Sequence, residues 1–152
     1  MNQKRVILPN AVMLKEVRDF LEQGHSVTIM TKGCSMSPFI RGERDSVELV
    51  KRETVVPGDI VLAHLGGGHY VLHRVNSIDG DKVVLKGDGN LDATEQCSLS
   101  DICGTATLIL KGDKPRFRCD SAWFKRASRR WVSAPRLVRR YCLGIYRRIK
   151  IL

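Results

Sequence analysis

His25-Ser26-Val27-Thr28-Ile29-Met30-Thr31-Lys32-Gly33-Cys34-Ser35-Met36-Ser37-Pro38 is the stretch on which the reading of the whole chain turns. Its first half, His25 to Thr31, alternates as a strand does, and the closing proline stops the chain from continuing regularly. Ser35 thus falls at a strand end, beside a glycine whose missing Cβ lets backbone come close, where an exposed nucleophile can sit. Gly, Ser and Pro are also ordinary turn residues, so these positions alone do not separate chemistry from a plain turn. Cys34 is intrinsically the better nucleophile as a thiolate, but continued strand geometry would turn its side chain to the opposite face.

Upstream, Met13, Leu14, Val17, Phe20 and Leu21 recur at helical spacing, with Lys15, Glu16, Arg18, Asp19 and Glu22 on the other face. Leu8-Pro9-Asn10 opens this amphipathic helix and Gly24 ends it, giving an N-terminal segment 1–24 that packs on the body. Downstream, Ser46 to Val50, Asp59 to Leu65, His69 to Ile78, Lys82 to Lys86 and Gly104 to Lys111 read as strands. Gly66-Gly67-Gly68 and Asp79-Gly80-Asp81 are the turns between them, and Gly87 to Asp101 reads as a polar stretch. The expected fold class is mainly β (α+β), a small curled antiparallel sheet or partial barrel over 25–115.

The 152 residues suffice for one domain with a real core. Five cysteines, odd in number and without a C-x-x-C pair, point to reduced thiols rather than a disulfide frame or zinc knuckle. No apolar run approaches the ~20 residues of a membrane span, and Met1 to Pro9 lacks a signal-peptide core and cleavage site. A cytoplasmic location is therefore expected.

Charge is unevenly placed. From Asp120 onward ten Lys/Arg face one acid, so the tail carries nine of the ten net positive charges. Gly112-Asp113-Lys114-Pro115 marks the boundary of a tail over 116–152. Asp120 or Ser121 caps a helix to about Val132, and Ser133 caps a second with Pro135 in its first turn. The second carries an apolar stripe, Val138, Tyr141, Cys142, Ile145, Ile149 and Leu152, and most of its arginines lie off that stripe. A solvated helix pair and a nucleic-acid contact using Trp123, Phe124, Trp131 and Tyr141 are two readings. The preferred one is an anionic membrane surface, held by Arg129, Arg130, Arg139, Arg140, Arg147 and Arg148, on the inner face of the membrane.

His73, inside Tyr70-Val71-Leu72-His73-Arg74-Val75, is the candidate base. A serine hydroxyl needs a group to accept its proton, and neutral imidazole suits that task near pH 7. Carboxylates in Lys86-Gly87-Asp88-Gly89-Asn90-Leu91-Asp92 are placed to orient an imidazole, although Gly, Asp and Asn are also turn residues. His64, His69 and His73 flank the triglycine turn without cysteine or carboxylate ligands at metal spacing, so no metal or cofactor is expected.

Taken in order, Gly33-x-Ser35-Met36-x-Pro38, Pro57-Gly58-Asp59-Ile60-Val61, His73-Arg74-Val75, Lys86-Gly87-Asp88-Gly89-Asn90 and Ile102-x-Gly104 resemble the signal peptidase I family. That family shares a mainly-β fold with the LexA-type autopeptidases. The resemblance spans about Val27 to Leu110. A histidine opening the third box resembles the endoplasmic-reticulum, archaeal and spore-former branch rather than the bacterial lysine form. It implies Ser35 as nucleophile and His73 as general base. An aspartate just after the fourth box completes the set, with Asp92 the nearest match and Asp88 the second choice.

Three departures stand out. The family's N-terminal spanning helix is replaced by an amphipathic one. Gly33 occupies a position where many bacterial members carry an oxyanion-holding serine, which leaves backbone N–H groups, chiefly that of Ser35, for the task. The family's Gly-Asp after the proline is loosened to Gly42-Glu43-Arg44-Asp45. The resemblance implies a serine endopeptidase cutting an extended leader or signal-like peptide at small residues. Two rivals are a LexA-type self-cleaving regulator with a DNA-binding tail and a non-catalytic peptide-binding module of the same fold.

Overall fold

The computed structural model describes residues 3–6 and 11–151, with side chains from 13 to 149. Leu8-Pro9-Asn10, the expected helix start, and Leu152, the last residue of the expected stripe, lie outside the described residues. The first segment is more than a helix. A strand β1 (Gln3–Val6) precedes α1 (Ala11–Glu22) and pairs in parallel with β2 (Ser26–Met30). Helical spacing in α1 puts Val17 and Leu21 into the core. A Cβ on Gly104 would come within 2.8 Å of Leu21 Cδ1, so that glycine is what lets the helix sit down on the sheet.

The remaining strands are β3 (Asp45–Val50), β4 (Ile60–His64), β5 (Tyr70–Asp79), β6 (Lys82–Lys86), β7 (Glu95–Ser98), β8 (Ile102–Lys111) and β9 (Lys114–Arg118). They form one open, mainly antiparallel sheet in the order β1-β2-β3-β8-β4-β5-β6-β7, with β9 added to β8. The length of β8 permits this. One edge pairs with β3, while the other pairs with β4 near Thr105 and with β9 beyond Leu108. The expected strands are present. Three others, β1, β7 and β9, went unread because they are short, polar or interrupted by proline.

The tail starts later than 116. Gly112-Asp113 turns β8 into β9, and Pro115 sits in that added strand. Two helices follow, α2 (Ala122–Ser133) and α3 (Arg136–Ile151). Ser121 Oγ accepts the Phe124 N–H at 3.2 Å, a normal N-cap. Ser133 is no cap for α3; its hydroxyl donates back to Arg129 O at 2.7 Å. Nor is α2 free of the body. Phe124 and Ser128 are buried one turn apart, and the Trp131 indole donates to Asp88 O at 2.9 Å. On α3, by contrast, Leu143 is buried while Leu137, Val138, Tyr141, Ile145 and Ile149 are exposed.

One buried ion pair ties these parts together. Arg74 meets Asp88 with two parallel hydrogen bonds, Nε–Oδ1 at 2.8 Å and Nη2–Oδ2 at 2.7 Å, and both side chains are almost wholly buried. The guanidinium also donates to Gly58 O at 2.9 Å. It lies against the rings of Phe39 and Phe124, 5.6 and 5.8 Å from their centroids. Removing either partner strands a buried charge. Asp88→Ala is expected to lower unfolding free energy by about 3–5 kcal/mol in urea titrations. Asp92→Ala, which breaks only an exposed pair with Arg136, should leave the midpoint unmoved.

Candidate active site

Ser35 does not sit on the strand. β2 ends at Met30, and residues from Gly33 to Phe39 form consecutive bends and turns. Ser37 N–H donates to Cys34 O at 3.1 Å, and Ile40 N–H to Met36 O at 3.0 Å. The base of this loop is tied at several points. Thr31 N–H donates to Asp45 O at 3.0 Å, Glu43 N–H to Thr31 O at 2.9 Å, and Gly42 N–H to Gly33 O at 3.1 Å. Asp45, fully buried, receives Arg41 N–H, Arg44 and Arg116. A Cβ on Gly42 would run into the backbone of Gly33. The loosened Gly42-Glu43-Arg44-Asp45 box is therefore the clasp of the serine loop.

Met36, Ile40 and the half-buried Phe39 anchor the loop in the core, which leaves Ser35 half-exposed and Cys34 exposed. Strand parity is thus not what separates Cys34 from Ser35. The turn is. The N–H of Ser35 donates to no other group among the described residues, as a backbone oxyanion donor must.

His73 is buried on β5, one residue from Arg74, so the two side chains project to opposite faces of the strand. Register puts His73 opposite Val61 on β4. On the other side β6 stops at Lys86, opposite Arg74, and the next residue is Gly87. A Cβ there would strike Ser35 O and come within 3.2 Å of His73 Cδ2. Gly89 N–H donates to Ser35 O at 2.8 Å. The Gly87-Asp88-Gly89-Asn90 turn is therefore the piece that presses the serine loop against the histidine, and its first glycine is the condition for that approach.

The carboxylate on His73 is Glu95, not Asp92 or Asp88. Glu95 Oε2 lies 2.8 Å from His73 Nδ1. Leu85 pairs with both Val75 and Glu95, so Glu95 shares a face with Val75 and with His73 two residues away, and reaches it diagonally. Asp88 is consumed by Arg74. Asp92 is held at the surface by Arg136 at 2.7 Å, and that guanidinium keeps its carboxyl below the usual range. Glu95 escaped the sequence reading because Glu95-Gln96-Cys97-Ser98 lacks an apolar alternation to announce a strand. The sole trace is the shared parity of Glu95 and Cys97, the latter packed on the core formed by Val75, Val83 and Leu85.

With Nδ1 engaged by Glu95, Nε2 is the ring nitrogen left for other chemistry. His73 and Ser35 both line a cavity of about 250 Å³, walled by Leu14, Ile29, Met36 and Leu72. This lies below the ~300 Å³ at which pockets for whole small ligands begin, and suits a single small side chain. β6 pairs with β5 only from Arg74 onward, so no described strand pairs with that edge of β5 from Tyr70 to His73, along the same cavity. His64 and His69 stand apart; His64 faces Arg18 and the Tyr70 ring.

The candidate membrane arginines divide. Arg129, Arg130, Arg140, Arg147 and Arg148 are exposed and Arg139 is half-buried, and of these Arg129 and Arg139 line a second cavity between α2 and the sheet.

Thiol reactivity checks the loop geometry. Burial pushes the Cys97 thiol up to about 11 and the Cys119 thiol up to about 12, while Cys34 and Cys142 are exposed. Limited iodoacetamide at pH 8 should label Cys34 and Cys142, with Cys97 following only as pH nears 11. Mass spectrometry that finds Cys119 labelled as fast as Cys34 would contradict this packing. Comparison with known proteins gives no matching family model and no similar curated protein, so the function is read from this geometry.

Proposed function

We propose that the chain is a serine endopeptidase of the signal-peptidase type, with Ser35 as nucleophile, His73 as general base and Glu95 holding the imidazole. The observation that carries the reading is the Glu95 Oε2–His73 Nδ1 contact at 2.8 Å beside a serine in the same small cavity. The open, mainly antiparallel sheet supports the fold assignment, because four of the five sequence boxes meet in it at one corner, while the fifth, Ile102-x-Gly104, pairs with Leu62 and Ala63 of β4.

An extended peptide adds as a strand along the free edge of β5 and places a small residue in the cavity. Ser35 gives its proton to His73 Nε2 as Oγ bonds to the scissile carbonyl carbon. The oxyanion is met by the Ser35 N–H. Collapse breaks the C–N bond, and Nε2 returns the proton to the leaving amine. Water then repeats the sequence on the acyl-enzyme, releasing the new carboxyl terminus. Glu95 fixes the tautomer and stabilises the imidazolium throughout.

Ser35→Ala is expected to abolish cleavage of a leader-like peptide library, and Cys34→Ala to retain most of it. Glu95→Gln should cut kcat by about 10²–10⁴, whereas Asp92→Asn should leave it unchanged. Binding without cleavage in the wild type would favour the peptide-binding module. Loss in Asp92→Asn but not in Glu95→Gln would overturn the roles assigned.

The same reading places the enzyme on an anionic membrane surface through α3, where Tyr141, Ile145 and Ile149 are exposed beside Arg140, Arg147 and Arg148. No described helix is long and apolar enough to cross a membrane. The nucleic-acid alternative loses two aromatic contacts, since Phe124 and Trp131 are engaged in packing. The protein should sediment with anionic vesicles, less so with neutral ones, and less again at raised salt. Equal sedimentation with both would sink the surface assignment and leave the peptidase reading intact.

A further inference from the structure

Between α2 and the sheet lies a cavity of about 710 Å³, nearly three times the volume of the one holding Ser35 and His73. Its charges are unbalanced in a specific way. Both carboxylates in the lining are already committed: Asp88 to Arg74, and Asp59 to the Val56 N–H at 3.0 Å. The cations are not. Lys125 and Arg129, both exposed, have no side-chain partner among the described residues, and Lys86 has only the electrostatic pull of the surface Asp92; all three line the cavity. Arg139 spends its Nε–H on Ala134 O at 3.2 Å and keeps its terminal N–H groups.

The rest of the wall is apolar. Ile60, Val75 and Phe124 are buried at the cavity, and Val56 and Val132, about half exposed, stand at its opening. Ser128 also lines the space; it is 5% exposed, and its hydroxyl has no hydrogen-bond partner among the described residues. A buried hydroxyl left unpaired is costly unless something supplies the missing bond. Unpaired cations, an orphan hydroxyl and an apolar wall in one cavity of ligand size describe a site for an anion that carries an apolar group.

We propose that this cavity binds a phosphate ester bearing an apolar substituent, with the phosphate held by Lys125, Arg129 and Lys86 and the substituent against Val56, Phe124 and Val132. Three cations lining one cavity suit a phosphate better than a single carboxylate, which one arginine can satisfy alone. The source is either an acidic lipid headgroup or a water-borne aryl or alkyl phosphate. The assignment does not depend on Ser35 being a nucleophile.

Trp131 lines the cavity and is one of two tryptophans, so Trp123→Phe leaves it as the sole reporter. In that background, tryptophan emission is titrated with dihexanoyl phosphatidic acid kept below its micelle concentration, with phenyl phosphate, and with inorganic phosphate. A saturable change is expected with the first or the second, the tighter of them naming the source, and binding at least tenfold weaker is expected with inorganic phosphate. Lys125→Ala and Arg129→Ala should each raise Kd about tenfold, the scale of one charge-assisted hydrogen bond. Arg126→Ala removes the same charge from the same helix away from the cavity and should change little. Thermal melts of the variants check that α2 remains docked. No saturable change, equal binding of inorganic phosphate, or equal losses in Arg126→Ala and Arg129→Ala would overturn the proposal.

Discussion

The buried pairing of Arg74 with Asp88 is the constraint on which the remaining architecture rests. An arginine and an aspartate taken out of water must satisfy nearly all their hydrogen-bonding capacity or the fold loses several kcal/mol. Arg74 meets that demand with Asp88, the Gly58 carbonyl and two aromatic faces. Asp88 in turn offers its carbonyl to Trp131 and its N–H to Met36 Sδ at 3.5 Å. The strand carrying His73, the turn carrying Gly87, the serine loop and α2 are thereby brought to one point. Residues that look like separate motifs along the chain are parts of one clamp.

The division of labour between neighbours on β5 follows from this. Arg74 holds the scaffold from one face of the strand, and His73, turned to the other, is left for the proposed chemistry. A single strand therefore sets both the stability of the corner and the direction of its imidazole. The clamp also explains why an acidic residue in a glycine-rich turn is a poor guide to catalysis. Of the two aspartates in and after that turn, the one nearer in sequence to the proposed base, Asp88, is the less available to it, because Arg74 has claimed it.

Much of this was legible in the chain. The alternation from Ser26 to Met30, the apolar run at Ile60 to Ala63 and the Lys82–Lys86 strand give three of the sheet's strands directly, and Ser35 and His73 stood out through the ordered boxes in which they fall. What was hidden has physical reasons. β9 contains Pro115 and adds at an edge where no N–H is required of it. β1 gains its place only by pairing with a strand 23 residues on, a non-local contact that no local pattern reports. Glu95 owes its position to register across β6, and register is not visible from one strand. Nor could α2 be told from a surface helix by its charge, since Phe124 and Trp131 dock on a feature made by distant residues.

Glu95 belongs to β7, the last strand of the sheet's path, paired only through four residues of β6. A terminal strand opens more readily than the centre, because one row of hydrogen bonds holds it and no neighbour covers the other edge. Fraying of β7 withdraws the carboxylate from His73 while the Arg74–Asp88 corner stays closed. The imidazole's orientation would then follow the local opening of β7, with its own temperature and denaturant sensitivity, beneath that of the domain. Amide exchange at Gln96 and Cys97 is the natural clock for that equilibrium.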